Sequence, residues 1–451
     1  MRSIQSDLTR EPIAPMILKL TWPMVLGLLG MVVFNLTDIY FIGKLGVDEL
    51  AAMGFTFPVV MFVNALASGI GLGTSSLMSR SIGSEIRIVL REYATEALLL
   101  GVLFVGIVVV IGQLTINPLF SLMGASDKVL SLIKDYMSVW YWGMLVLVVP
   151  IVGNNVIRAT GDTFTPGMIM TFSAVLNIIV DPLLIFGYGP FPFLSIKGAA
   201  IATVISRGTG MILIICVLIK REKLLTVFLP VLKEVIRIWK KIFYIAVPAS
   251  ACILIPPFSM GIVTRIISKF GNEAVAAFGI VSRLELFFLI LVNALGSVMI
   301  IYAGQNWGKG KVKRLLRGFN IVVLFALVWG LLLFFMVQMW AKPFASIFSE
   351  SIDVINITTK YLLIITFSYG FQGILILGEN VFIGVNNPLP AAGLTFLRVF
   401  GLYVPLAWLA SLYLGLTGVF WSAFLTNILI GILTYIWLVR YLKMKEKSPM
   451  E

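Results

Sequence analysis

The 451-residue sequence contains no histidine and only two cysteines, Cys216 and Cys252. The absence of histidine excludes histidine-based catalysis, histidine metal ligands and imidazole proton relays. The two cysteines lie in separate apolar runs, which excludes a disulfide framework and a cysteine zinc site. No enzymatic centre is therefore indicated by the residue types present.

Charge is also scarce, since 12% of the residues are charged and 59% are hydrophobic, with a mean hydropathy of +1.03. A soluble domain carries about 25% charged residues. Apolar runs of about twenty residues recur along the chain, which is typical of a polytopic helical membrane protein. The alternating pattern of a membrane barrel is missing. The sequence thus predicts an all-α integral membrane protein.

Twelve apolar segments are each long enough to cross about 30 Å of hydrocarbon as a helix. They span roughly 16–42, 50–79, 93–115, 131–157, 166–188, 198–219, 242–268, 275–304, 316–341, 357–383, 391–412 and 417–439. The even number places both ends of the chain on the same side of the membrane.

The net charge of +13 is concentrated in alternate loops. The loops on one side, with the two termini, carry 22 lysines and arginines, and the opposite loops carry 5. By the positive-inside rule both termini are cytoplasmic, in the cytoplasmic (inner) membrane of a prokaryote. The positive charge faces anionic lipid headgroups, so we expect a lipid bilayer and no nucleic acid as partner.

The two halves of the chain match at a constant shift of 225 residues. The stretch "GKLGVDELAAMG" (43–54), for example, aligns with "SKFGNEAVAAFG" (268–279). Two repeats of six helices predict two lobes related by a pseudo-two-fold axis along the membrane normal, a common transporter design. We expect an N-terminal lobe over 1–219, a cytoplasmic linker over 220–241 and a C-terminal lobe over 242–451.

Buried polar residues gather at one depth in the predicted N-terminal lobe. Asp38 lies late in helix 1, Asp181 in the outer half of helix 5 and Thr203 one turn into helix 6, all within about 10 Å of the outer edge. Asn177 precedes Asp181 by four residues, and Asn35 precedes Asp38 by three. A carboxylate in the membrane is costly and therefore functional by default. Two carboxylates in an apolar site raise each other's proton affinity, so we predict a site for H⁺ or, less favoured, Na⁺.

Three motifs carry a family resemblance: "RATGDTFTP" (158–166), "LNIIVDPLLIFG" (176–187) and "KGAAIATVIS" (197–206). With them the chain resembles the multidrug and toxin extrusion (MATE) transporters over its whole length. The resemblance implies a cation-coupled antiporter that exports small organic, cationic or amphipathic compounds by alternating access. We expect a monomer with no cofactor beyond the coupling ion.

The resemblance also implies which lobe binds the ion. The archaeal and DinF-like branches carry an acid pair on helices 1 and 5, which Asp38 and Asp181 match. The NorM-like branch instead places acids on helices 7 and 10, near Pro256 and Gln372 here, and neither residue is acidic. This favours the DinF-like branch and coupling in the first lobe. Pro182, beside Asp181, is expected to distort helix 5 and free backbone carbonyls.

Candidate residues for the substrate cavity are Met31, Tyr141, Asn154, Met168 and Glu285. Glu285 lies at the depth of Arg398, and either a buried ion pair or a binding role fits this pair. An alternative function is a lipid-linked saccharide flippase, because such proteins use a cationic cavity for phosphate. The candidate cations are Arg207, Arg265, Arg283 and Arg398. The acid pair argues against this alternative.

Overall fold

A computed structural model describes residues 8–82, 87–226 and 232–447 of the chain. Within these ranges the regular structure is helical, without strands. The described α-helices are α1 (Ile13–Gly43), α2 (Val47–Ser81), α3 (Arg87–Leu122), α4 (Asp127–Ala159), α5 (Phe164–Phe186), α6 (Ser195–Cys216), α7 (Leu232–Ile267), α8 (Asn272–Phe288), α9 (Ile290–Gly308), α10 (Val312–Ser346), α11 (Ile352–Ile365), α12 (Tyr369–Gly384), α13 (Pro388–Phe396) and α14 (Val404–Lys447).

Within the described ranges ten helical runs are long and apolar enough to cross a membrane, and one bent pair of helices raises the number to eleven. Helices α1 to α7 and α10 are single crossings, whereas α8 and α9 form one crossing bent by 49°. A 3₁₀ turn at Thr366–Ser368 joins α11 and α12 into another. The helical run Pro388–Lys447 contains 60 residues and is broken at Gly415, whose φ of 60° and ψ of −147° suit glycine. The break lies between the two stretches in which the sequence predicts the last two crossings. The prediction of an all-α membrane protein is confirmed.

The two repeats begin their second crossing in the same way. A glycine with positive φ, Gly46 at 159° and Gly271 at 104°, precedes α2 and α8. An acidic residue follows in the first turn of each helix, Asp48 in α2 and Glu273 in α8. Its negative charge interacts favourably with the positive end of the helix dipole. The shared glycine and acid explain why these positions match in the sequence repeat.

The chain divides into two compact units. Among the described residues, the first unit includes Leu8 and Leu18–Ser250, and the second includes Thr9–Ile17 and the chain from Ala251 onward. The first unit contains α2 to α6 and most of α1, and the second contains α8 to α14. Residues 227–231 of the predicted linker 220–241 lie outside the described residues.

Candidate functional site

Asp38 on α1 and Asp181 on α5 form a buried pair of carboxylates in the first unit, called the acid pair below. Asp38 is 8% exposed and Asp181 is fully buried. The two side chains are close enough to interact electrostatically. Because like charges in apolar surroundings repel strongly, the pair favours binding of a proton or a metal cation.

Close backbone packing sets the two acids at one level. A Cβ atom placed on Gly30 of α1 would contact Thr171 and Ala174 of α5. Helices α1 and α5 run parallel there, so eight residues further along both helices Asp38 comes level with residues 179–182. Small residues at helix contacts are the usual means of such close approach in membranes.

Helix α6 brings Thr203 to the same level along α5. A Cβ atom on Gly198 would contact the backbone of Leu184, and α5 and α6 run antiparallel. Five residues on from this contact, Thr203 comes level with residue 179, within one turn of Asp181. Thr203 is buried. The structure therefore places Thr203 at the depth of the acid pair, and its part in ion binding stays a prediction.

The polar atoms of this site are mainly acceptors. The Asn177 side-chain nitrogen donates a hydrogen bond of 3.1 Å to Asp181 Oδ1. Three buried oxygens, Oδ1 of Asp38, Oδ1 of Asn177 and Oδ2 of Asp181, have no hydrogen-bond partner among the described residues. Buried acceptors without donors are costly, and a proton or cation would satisfy them. The arrangement is suited to holding a small positive ion.

Two further residues adjoin the acid pair. The phenol of Tyr136, on α4, is buried and lies within electrostatic range of both acids. Sequence patterns do not indicate this residue, because Tyr136 lies in an apolar helix and belongs to no motif. Pro182 follows Asp181 directly and provides no N–H for the Ile178 carbonyl, yet α5 continues to Phe186. The Ile178 carbonyl is therefore free because proline has no N–H, although the helix is not broken there.

The second unit contains its own polar cluster. Gln372 on α12 lies close to Glu285 on α8. The Asn427 side-chain nitrogen of α14 donates to Ser368 Oγ at 3.0 Å and to Gln372 Oε1 at 3.3 Å. These two hydrogen bonds link α14 to the crossing that contains Ser368 and Gln372.

Arg398 lies within electrostatic range of Glu285 without forming a close ion pair. Among the described residues, no carboxylate oxygen comes within 4.0 Å of the Arg398 nitrogens. The phenols of Tyr361 and Tyr403 also lie within electrostatic range of Arg398. Arg398 belongs to a π-helical turn, Leu397–Tyr403, a feature that is frequent at functional sites. The close pair weighed from the sequence is therefore not formed.

The MatE family model matches this chain twice, over residues 23–183 and 248–409. The two matches cover more than half of the chain and begin 225 residues apart, the spacing of the internal repeat. The chain belongs to the MatE family. MATE proteins are transporters rather than enzymes, and their two matched halves account for the repeat.

Individual MATE relatives cover almost the whole chain. It is 37% identical over 428 residues to a FAD transporter of Shewanella oneidensis, with 95% of each chain covered. It is 26% identical over 433 residues to YoeA, a probable multidrug resistance protein of Bacillus subtilis, with 92% of each covered. The crystal structure of the Vibrio cholerae MATE transporter VcmN in the bent form has a TM-score of 0.90 and 29% identity, covering 98% of this chain and 99% of that one. The DinF-like branch stays a prediction.

The remaining candidates in this MATE transporter are placed differently from one another. Asn35 is exposed and is not part of the buried acceptor group. Met31 and Met168 are 38% and 45% exposed, as residues that line open space would be. Asn154 is buried with its side-chain oxygen unpartnered among the described residues. The ring of Tyr141 is buried and packs directly on a glycine of α3. Their contact with substrate stays a prediction.

The family motif at 158–166 forms a hydrogen-bonded turn between α4 and α5. The carboxylate of Asp162 accepts hydrogen bonds from the backbone N–H of Thr165 at 3.0 Å and from its hydroxyl at 2.6 Å, and pairs with Arg221. Burial alone would raise the pKa of Asp162, but the bonds from Thr165 and Arg221 outweigh it and hold the pKa below its ordinary value. The carboxylate is therefore charged at neutral pH and ties the start of the predicted linker to the first unit.

Proposed function

We propose that this MATE protein is a cation-coupled antiporter that exports small organic compounds and binds its coupling ion at the acid pair. The observation that carries the proposal is the set of three buried, unpartnered oxygens on Asp38, Asn177 and Asp181. A site in an apolar lobe whose polar atoms are mainly acceptors is satisfied by a positive ion and is destabilised without one. We place the protein in a bacterial inner membrane with both termini cytoplasmic.

A proton suits this site better than Na⁺. A proton needs one carboxylate oxygen, and the resulting O–H can donate to a neighbouring acceptor. A metal cation needs several oxygen ligands at once, and the described residues include no group of three or more His, Cys, Asp or Glu side chains placed to hold one. We therefore favour H⁺ as the coupling ion and keep Na⁺ as the outcome that the experiment below can reveal.

The acid pair would couple ion and substrate through their preference for different states. Binding of the ion removes the repulsion between the two carboxylates and stabilises the state in which they lie close together. Asn177 holds Asp181 in position through its hydrogen bond. A substrate that favours the state without the ion is then exchanged for it, because a ligand shifts only an equilibrium whose states it distinguishes.

The test is movement of ethidium in proteoliposomes containing the purified chain, under an imposed pH gradient and then an imposed Na⁺ gradient. We expect the wild type to respond to the pH gradient, and Asp38→Asn and Asp181→Asn to lose that response. Asp135→Asn, which changes an exposed carboxylate of α4, is the matched control and should behave as wild type. Wild-type transport that follows neither gradient, or unchanged transport in both site variants, would contradict the proposal.

A second candidate substrate class is an anionic aromatic dinucleotide such as FAD. The 37% identity to a FAD transporter favours it. Arg398 also supports it, since its guanidinium has no close carboxylate among the described residues and lies within range of Tyr361 and Tyr403. A guanidinium binds phosphate in bidentate fashion, and tyrosine rings stack on planar groups.

The flavin candidate predicts that FAD inhibits ethidium transport by the wild type and drives exchange when loaded inside the liposomes. Arg398→Gln should weaken the effect of FAD about tenfold or more, which corresponds to the loss of a charge-assisted contact, and should leave ethidium transport in place. Arg283→Gln removes an exposed arginine of α8 and should change neither. Equal responses of the two variants to FAD would exclude Arg398 as its binding residue.

A further inference from the structure

Arg207 on α6 is a positive charge that the ion-binding site described above does not use. Its guanidinium carbon lies 5.1 Å from the centroid of the Phe34 ring of α1. Arg207 is partly buried, and within the described ranges no carboxylate oxygen lies within 4.0 Å of its nitrogens. An arginine inside a membrane helix is costly and marks function by default. A cation–π contact is weaker than pairing with a carboxylate, so the guanidinium rests at a place it can leave.

The acid pair lies one helical turn from this resting place. Arg207 follows Thr203 by four residues on α6, and Phe34 precedes Asp38 by four residues on α1. Since Thr203 and Asp38 are level with Asp181, the contact between Arg207 and Phe34 lies about 6 Å along the helices from the carboxylates. The long stem of an arginine covers a comparable distance. A change of side-chain rotamer is therefore enough to bring the guanidinium to the pair.

The charge balance of the site would favour this movement of Arg207 once the coupling ion has left. Loss of the coupling ion leaves two carboxylates facing each other in an apolar lobe, which is unfavourable. Tyr136, also within electrostatic range, supplies no positive charge. One guanidinium would neutralise one carboxylate and satisfy its oxygens with two hydrogen bonds.

We propose that Arg207 is a tethered cation of the acid pair: its guanidinium rests over Phe34 while the pair holds the coupling ion, and binds a carboxylate once the ion has left. The inference rests on the proposed function, in which the acid pair binds the ion. It adds that the chain itself supplies the positive charge for the half of the cycle that runs without the ion. Arg207 also competes with the ion and so sets the concentration at which the ion binds.

The experiment measures two quantities in proteoliposomes: ethidium–ethidium exchange without any ion gradient, and the concentration of driving ion that gives half-maximal transport. For Arg207→Gln we expect exchange to slow about tenfold and the half-maximal ion concentration to fall about tenfold, because a unit charge about 6–10 Å away is removed. Arg207→Lys keeps the charge and should lie close to wild type. Arg265→Gln, which removes an exposed arginine of α7, is the control and should change neither quantity.

Phe34→Leu provides an independent variant with the opposite expected sign. It removes the resting place but keeps the guanidinium, so Arg207 should occupy the carboxylates more often and the half-maximal ion concentration should rise. This variant decides the matter if Arg207→Gln does not fold. The proposal is overturned if both variants match wild type, or if both shift the ion concentration in the same direction. Gradient-driven transport that survives in both Asp38→Asn and Asp181→Asn would instead contradict the proposed function itself.

Discussion

Replacement of Asp38 or Asp181 by asparagine is expected to reduce ion-driven export by about 100-fold or more, and replacement of both is expected to cost no more than either alone. The two acids interact with each other and lie level on adjacent helices. Residues that act as one unit lose their whole effect when one member is removed, so their single effects do not add. The measurement is the initial rate of gradient-driven ethidium movement for the wild type, the two single variants and the double variant.

The outcome that contradicts a shared site is additivity. If the double variant is slower than the wild type by the product of the two single-variant factors, each carboxylate binds its own ion independently. Asparagine has the size of aspartate but lacks its charge, and a change of charge at a buried site can affect folding. Gel filtration in detergent must therefore show that all four proteins are folded. Asp135→Asn, the exposed control on α4, should stay within about twofold of wild type.

The membrane crossings are the part of this fold that the sequence predicts best. In hydrocarbon every backbone group must bond within its own helix, so a long apolar run has no alternative structure. The same constraint fixes depth, because each residue advances a helix by about 1.5 Å. Counting along helices 1, 5 and 6 was therefore enough to predict that Asp38, Asp181 and Thr203 share a level.

Direction around a helix is what the sequence could not supply. Asn35 and Asp38 are only three residues apart, yet Asp38 is buried and Asn35 is exposed. Which face is covered depends on neighbouring helices, and no periodicity in one helix identifies them. For the same reason Tyr136 of α4 was not predicted near the acids.

Local irregularities limit prediction in the second unit. Depth alone suggested a close ion pair between Glu285 and Arg398, but Arg398 lies in the π-helical turn Leu397–Tyr403. Such a turn has a wider repeat than an α-helix, so it shifts the direction of the side chains it carries. Glu285 lies in the last turn of α8, four residues before the bend at Leu289. Neither irregularity has a reliable signal in a uniformly apolar stretch.

Gly167→Val is expected to destabilise the first unit and to impair coupling together with it. A Cβ atom on Gly167 of α5 would run into the carbonyl oxygen and the ring of Pro23 on α1. Valine adds three carbon atoms where the two backbones touch, so α1 and α5 must separate. Overpacking of this kind costs about 1–3 kcal/mol, which lowers the midpoint of thermal unfolding by roughly 5 °C. The measurement is thermal aggregation of the purified protein in detergent, followed by the transport assay.

Gly54→Val is the matched control for this prediction, because a Cβ atom on Gly54 of α2 meets nothing within 4 Å. It makes the same change in helix propensity without the collision, so its midpoint should stay within about 2 °C of wild type. Gly167→Ala should fall between the two variants. Since the α1–α5 contact also sets Asp38 level with Asp181, Gly167→Val should need a higher ion concentration for half-maximal transport even below its unfolding temperature. Equal stability of Gly167→Val and Gly54→Val would mean that α1 and α5 do not touch at Gly167, and the level of the acid pair would then lose its structural basis.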